Sequence, residues 1–434
     1  MPRRNLLTIL VACAVSLISY ERASRNRYGD LFAEVVNIVS QRYVEPVAQR
    51  ALFDDAISGM MEGLDRHSTF YPPRKLAAFN EDLDQEFPGI GIEVTLDEES
   101  AAPMVNRVLP GTPARRAGLL PGDIIVAIEG QSTRGLSLEA SVKLMRGPLG
   151  EDVTLTVRHA GADQDIDLVI TRDRIETESV LGDFRGKDEK WRYYLQGHPE
   201  IGYIRVRTFG ARTVEELYDA LDYGDHPVEA LILDLRDNPG GLLPAAVATC
   251  ELFLDEGLIV RIVGRSPGVT RQFDAHPRNK KQLPPKLQTT LPMVILVNEY
   301  SASASEIVAA CLKDHGRAVI VGERTYGKGS VQNVIEIEGG ASALKLTTAY
   351  YQRPNGHNIH RREGAAEEDE WGVRPSKGFE VKIDNELRRK LALQRFNRDS
   401  PPAVRANDEA PAVDPQLEKA VECLKARLAG NRKA

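Results

Sequence analysis

Met293-Val-Ile-Leu-Val297, Asn298-Glu-Tyr-Ser301-Ala-Ser303-Ala-Ser305-Glu306-Ile-Val308, Ala318-Val-Ile-Val321 and Thr325-Tyr-Gly-Lys328-Gly-Ser-Val-Gln332 follow one another and together decide the fold. Two apolar runs of strand length flank a segment whose apolar residues Ile307, Val308, Cys311 and Leu312 recur at helical spacing. The plan repeats one unit earlier. Ala230 to Leu235, broken only by Asp234, ends in Arg236-Asp-Asn-Pro-Gly240-Gly241 and leads to a helical stretch, Leu242 to Leu254. Apolar runs without alternation mark strands buried on both faces, and repeated strand–turn–helix units predict an α/β core with its active loops at the strand ends.

The same stretch carries chemistry. Ser303 stands at a strand-to-helix junction, where free backbone N–H groups and the helix dipole favour negative charge. Ser301 and Ser305 compete with it for a nucleophile's role, and each of the three could instead cap the helix. Lys328, between Gly327 and Gly329, is placed to turn inward, where loss of hydration lowers a lysine towards neutrality and makes it a general base. Gln332 follows at an even interval and shares the Lys328 face of an extended strand. The amide of Ala304 is a natural oxyanion donor, and either Gly240 or Gly241 could supply a second. Gly322 to Lys328 begins like a phosphate-binding loop. It fails at Gly329, which offers no hydroxyl for magnesium, and a strand pattern follows where a helix is needed. His357 and His360 lack a third ligand, His67 reads as a turn residue, and His315 lies too far along the helix to serve Ser303. Neither a metal nor a cofactor is expected.

Outward from this core the pattern changes. Residues 25–86 read as a helical segment, with Leu31, Val35, Val36, Ile38 and Val39 forming a core or partner-facing stripe that leaves a homo-oligomer open. Residues 87–175 break into short β runs: Ile90 to Val94, Met104 to Val108, Ile124 to Ile128, Val153 to Val157 and Ile166 to Ile170. One helix, Leu138 to Met145, and turns at Pro110-Gly-Thr-Pro-Ala and Leu120-Pro-Gly-Asp123 complete a plan that resembles a PDZ domain. In that resemblance Gly89, Ile90, Gly91 and Ile92 occupy the carboxylate loop, whose amides hold a peptide's terminal carboxylate. Residues 176–397 form the core, 265–287 a polar surface loop, and 398–434 a linker with a last helix, Pro415 to Leu428. Arg3 and Arg4, the apolar run Leu6 to Tyr20 and Glu21-Arg22 make residues 1–24 a signal peptide or, preferably, an uncleaved anchor. Export to the periplasm or another extracytoplasmic space, on the membrane, is the expectation. Leu10-Val-Ala-Cys13 also has the form of a lipoprotein box, but the apolar run continues past it. A net charge of -7 over 434 residues, with no basic face, argues against nucleic acid, and four scattered cysteines exclude a cysteine-rich scaffold.

Nearly the whole chain resembles the carboxyl-terminal processing peptidases, or tail-specific proteases. The resemblance rests on Leu64-Asp-Arg-His-Ser68, Gly89-Ile-Gly91, Asp234-Leu-Arg-Asp-Asn238-Pro-Gly-Gly241, Ser301 to Glu306 and Val321 to Gln332. It implies a multidomain α/β and β protein: a crotonase- or Clp-peptidase-like core, an inserted PDZ domain and a helical amino-terminal segment. It implies Ser303 as nucleophile, Lys328 as base, Gln332 as the lysine's orienting partner, and substrate proteins recognised by their free carboxyl ends. Arg66, where the family often has proline, and an expanded acidic segment from Arg361 to Glu370 depart from the pattern. The rival reading is a non-catalytic PDZ adaptor on a degenerate peptidase fold, which has no use for a desolvated lysine.

Overall fold

Valine- and isoleucine-rich runs with no solvated face become buried strands. The computed structural model describes residues 26–97, 99–222, 228–265, 270–276, 291–399 and 412–431. The apolar run at 6–20, most of the polar loop at 265–287 and most of the linker at 398–413 lie outside the described residues. Helices α1 (Arg27–Arg42) and α2 (Gln49–Glu62) and strand β1 (Thr69–Tyr71) come first. An antiparallel domain follows: β2 (Glu86–Gly89), β3 (Ile92–Leu96), β4 (Pro103–Val108), β5 (Ile124–Ile128), α3 (Leu138–Met145), β6 (Asp152–Arg158), β7 (Asp165–Thr171) and β8 (Asp173–Glu176). Then come β9 (Val180–Leu181), β10 (His198–Val206), α4 (Thr213–Leu221), β11 (Ala230–Asp234), α5 (Leu243–Phe253), β12 (Gly257–Gly264), β13 (Thr270–Ala275) and β14 (Met293–Val297). The chain continues through α6 (Ala304–Asp314), β15 (Val319–Gly322), β16 (Ser330–Ile337), β17 (Ser342–Gln352), α7 (Asn385–Asp399) and α8 (Pro415–Asn431).

The described residues fall into two compact units, one of those up to Leu76 with Gln332–Thr347 and one of those in Ala77–Val331 and from Thr348 on. In the first, β1 runs antiparallel to the early part of β17, Phe70 opposite Leu344. Asp65 closes the preceding turn, accepting from the amides of His67 at 2.7 Å and Ser68 at 2.9 Å. His67 is thus a turn residue, as its sequence context implies. The helical stripe is not a core here. Tyr28, Leu31, Val35 and Ile38 of α1 are exposed, and α1 buries no residue.

In the second unit the sheet order is β9–β10–β11–β14–β15, with the last four strands parallel and Ile204, Leu233, Ile295 and Ile320 in register. Leu231, Leu233, Leu235 and Ile295 belong to one apolar cluster with α4, α5 and α6. Ile232, Val294, Leu296 and Val321 belong to another with Ala420, Val421 and Leu424 of α8. Both faces being covered, the strands need no polar alternation, which is why they read as continuous apolar runs. The PDZ-like sheet, β3–β4–β5–β6–β7, wraps its own core of Val105, Ile125, Ile128, Val153, Leu155 and Val157. Strands β2 and β8 pair, Glu86 opposite Glu176 and Gly89 opposite Asp173, so the segments entering and leaving this domain run side by side.

Candidate active site

The carboxyl ends of β11, β14 and β15 converge, and the loops that leave them carry the expected residues. Ser301 and Ser305 are committed to structure: Ser301 Oγ donates to the Leu235 carbonyl at 2.8 Å, and Ser305 Oγ to the Asn238 carbonyl at 3.0 Å. Ser303 lies between them with φ 54° and ψ -112°, a left-handed conformation that costs an L-residue roughly 1–3 kcal/mol and marks functional turns. The three serines, among which spacing ranks Ser303 only slightly above its neighbours, therefore separate by their partners.

Glu306, on the first turn of α6, is fully buried and collects four donors. Its Oε2 accepts from the amides of Ser303 at 2.9 Å and Lys328 at 2.7 Å. Its Oε1 accepts from Thr325 Oγ1 at 2.5 Å and the Gly327 amide at 2.7 Å. One oxygen atom thus ties the backbone of Ser303 to the backbone of Lys328. Burial pushes the Glu306 carboxyl up to about 7, against four donors that favour its ionised form. Lys328 itself is half-buried. Its neighbour Gly327 has no room for a side chain, since an added Cβ would fall 2.7 Å from Arg361 Cβ. Arg361 donates its amide to the Gly327 carbonyl at 2.8 Å, and Trp371 is stacked between the guanidiniums of Arg324 and Arg361, 3.3 and 4.3 Å from its centroid. The ends of the acidic segment therefore pack on the lysine loop, a contact its composition does not announce.

The two glycines separate as well. Gly240 gives its N–H to Asn238 Oδ1 at 2.8 Å, so it is not an open donor. Its role is close approach: at φ 105° an added Cβ would lie 2.8 Å from Ser303 Cβ. The amides of Gly241 and Ala304 have no hydrogen-bond partner among the described residues, which leaves them as the pair of donors beside Ser303. Asn238 holds the two loops together, donating Nδ2 to the Val206 carbonyl at 2.8 Å while its own carbonyl accepts from the Ala302 amide at 2.9 Å.

Sequence reading missed Tyr351. Burial raises its phenol to about 12, and a hydrogen bond with the Ser303 hydroxyl pulls the other way. Its amide donates to the Gly329 carbonyl at 2.7 Å, so β17 brings the ring in beside the lysine loop. No local signal marks it, because long-range pairing sets its position. Gln332 belongs to the other unit, where its Nε2 donates to Thr347 Oγ1 at 3.2 Å. His315 caps the far end of α6, its Nε2 2.8 Å from the Leu258 carbonyl, away from Ser303 as expected.

In the PDZ-like domain Gly91 has φ 86°, and an added Cβ would strike Thr112 at 2.3 Å, so the turn requires glycine. The Ile90 carbonyl accepts from Ala114 at 2.9 Å and the Gly91 carbonyl from Leu109 at 3.0 Å, which fixes the loop, and the amides of Ile90 and Gly91 have no backbone partner among the described residues, whereas Gly89 is paired with Asp173 between β2 and β8. Gly89 ends β2 against the Phe87 ring, and Ile92 opens β3, whose edge away from β4 pairs with no described strand. Ile92, Val94 and Val142 are partly buried along the adjoining β3–α3 face.

A serine forced into a strained turn at a helix start, flanked by open amides, is how serine hydrolases are built. Comparison with known proteins gives the family. Peptidase family S41 matches residues 200–371, and a PDZ domain matches residues 104–159. The Carboxy-terminal-processing protease of Bartonella bacilliformis is 38% identical over 340 residues, 77% of this chain and 72% of that one. Carboxy-terminal processing protease CtpA of Bacillus subtilis is 32% identical over 361 residues, 82% and 72% of the two chains. The Carboxyl-terminal-processing protease of Synechocystis is 34% identical over 327 residues, 75% and 72% of the two. The chain belongs to peptidase family S41, as a serine-type peptidase of the carboxy-terminal-processing group.

Proposed function

We propose that the chain is an endopeptidase that takes substrate proteins by their free carboxyl ends and cleaves a peptide bond nearby. A tail adds a strand to the open edge of β3, its carboxylate on the amides of Gly89 to Ile92 and its last side chain against Ile92, Val94 and Val142. Ser303 Oγ attacks the scissile carbonyl while its proton passes to neutral Lys328 Nζ, and the oxyanion is held by the amides of Ala304 and Gly241. Lys328 returns that proton to the leaving amine. Water then attacks the acyl-enzyme, giving up a proton through Lys328, and Ser303 is restored.

The observation that carries this reading is the single Glu306 oxygen that accepts from both Ser303 and Lys328. Such a link has a purpose if the two residues react together. Ser303→Ala and Lys328→Ala are each expected to abolish cleavage of an unfolded protein substrate while leaving the unfolding midpoint unchanged. Turnover retained in either variant removes that residue from the mechanism. Residues 6–20 further support an exported, membrane-anchored enzyme. Fractionation of cells expressing the full chain is expected to place it in the membrane fraction, open to added protease on the extracytoplasmic side. No helix among the described residues is long and apolar enough to cross a membrane, so deletion of residues 1–24 is expected to release the enzyme in soluble form.

A further inference from the structure

We infer that Gln85 is a positioning residue that holds both linkers of the PDZ domain and the oxyanion turn as one piece. The inference rests on the peptidase reading above. Gln85 is 2% exposed, stands where the chain enters the domain, and has a left-handed φ of 59°. Its backbone carbonyl accepts from the Thr177 amide at 2.9 Å and from Thr177 Oγ1 at 3.2 Å, and its Nε2 donates back to the Thr177 carbonyl at 3.1 Å. The entering and leaving linkers are thus clasped through one residue. Its Nε2 also reaches Glu216 Oε1 at 3.4 Å. The other oxygen of Glu216 accepts from the Ser179 amide at 2.7 Å, Ser179 Oγ at 2.9 Å and the Val180 amide at 2.8 Å.

From there the contacts run to the site. Gln85 Oε1 accepts from the Arg212 amide at 2.9 Å, and the side chain fills the space over Gly210, where an added Cβ would lie 2.2 Å from Oε1. Gly210 follows Phe209. Phe209 donates its amide to the Gly240 carbonyl at 2.9 Å, its own carbonyl accepts from Leu242 at 2.6 Å, and Thr208 Oγ1 donates to the same Gly240 carbonyl at 3.0 Å. Gly241 lies between these anchors, with φ 144° and no room for a Cβ against the Phe209 carbonyl. The direction of the Gly241 N–H is therefore set by the segment that Gln85 seats. A buried primary amide suits this junction, because it donates to one linker and accepts from the loop at once. A shift of the PDZ linkers that moved Gln85 would disturb the oxyanion turn without touching Ser303 or Lys328.

The test uses the full chain carrying Gln85→Gly, which suits the left-handed backbone and removes only the side chain, and Gln85→Glu. Three quantities are read: affinity for a fluorescent peptide with a free carboxyl end, kcat and KM on unfolded casein, and the rate of labelling by a fluorophosphonate. Gln85→Gly is expected to bind the peptide within twofold of wild type and to keep its KM, but to lose about tenfold in both kcat and labelling rate. Gln85→Glu keeps the acceptor and, when ionised, faces Glu216, with the paired Arg212 and Glu176 charges close by. Its activity relative to wild type is expected to rise as the pH falls from 8 to 6, since protonation restores a donor. A merely structural residue would show no such rescue. Wild-type kcat in both variants, or a loss confined to peptide affinity and KM, overturns the inference. A wild-type chain that the probe does not label overturns the peptidase reading as well, which separates the two failures.

Discussion

At the residue scale, the site is arranged by partners that do not themselves react. Gly240→Ala must push a Cβ within 2.8 Å of the Ala302 carbonyl and Ser303 Cβ, so fluorophosphonate labelling is expected to fall at least a hundredfold while far-ultraviolet dichroism stays unchanged. Tyr351→Phe removes the hydroxyl that engages Ser303. A phenol pushed up to about 12 stays protonated at neutral pH and so cannot take the serine proton, and its loss is expected to leave labelling equal to or faster than wild type. A fall of tenfold would assign the phenol a supporting role instead. Glu306 titrates about 7 when folded against an ordinary 4.5. A carboxyl raised on folding favours the native state fully below its unfolded value, and that contribution is lost as the pH rises through the folded one. Between about pH 4.5 and 7 this residue therefore subtracts stability at up to about 1.4 kcal/mol per pH unit. Glu306→Gln, followed by urea unfolding across that range, is expected to flatten the slope.

At the element scale, α7 and α8 buttress the turn from Arg236 to Gly241. Arg236 pairs with Asp234 at 2.7 Å, with Asp414 at 2.8 Å and with Gln416 at 3.0 Å, and Arg395 of α7 reaches Asp234 at 3.3 Å. Burial alone would raise the Asp234 carboxyl, but the charges of Arg236 and Arg395 hold it well below the usual range. Asp414→Ala leaves Arg236 with fewer acceptors, and urea unfolding is expected to register a loss of roughly 1–3 kcal/mol. Strand β14, strand β5 and helix α3 have the bounds their apolar patterns announce, because each is decided by local periodicity and flanking turns. Strands β12, β13 and β17 were not legible. Tyr350 and Tyr351 are strand residues because β12 pairs with them, and the half-exposed run Leu344 to Thr348 carries no distinct strand signal.

At the scale of the whole molecule, a peptide-binding domain and a hydrolytic core share one chain, and the proposed division of labour predicts how substrates compete. A peptide with a free carboxyl end is expected to inhibit cleavage of an unfolded protein, and the same peptide with an amidated end to do so at least tenfold less well. Equal inhibition would remove the carboxylate loop at Gly89 to Ile92 from recognition.

By itself the sequence determined the parallel core and the PDZ-like insert, because apolar periodicity and glycine-marked turns are local and survive in a linear reading, and through its motifs it pointed to Ser303 and Lys328 as candidates. Only the tertiary structure separated Gly240 from Gly241, freed Ser303 from Ser301 and Ser305, and brought in Tyr351, Asn238 and Gln85. Those distinctions depend on which buried donor meets which acceptor. Partners tens or hundreds of residues apart are joined by packing, and no local pattern encodes the match.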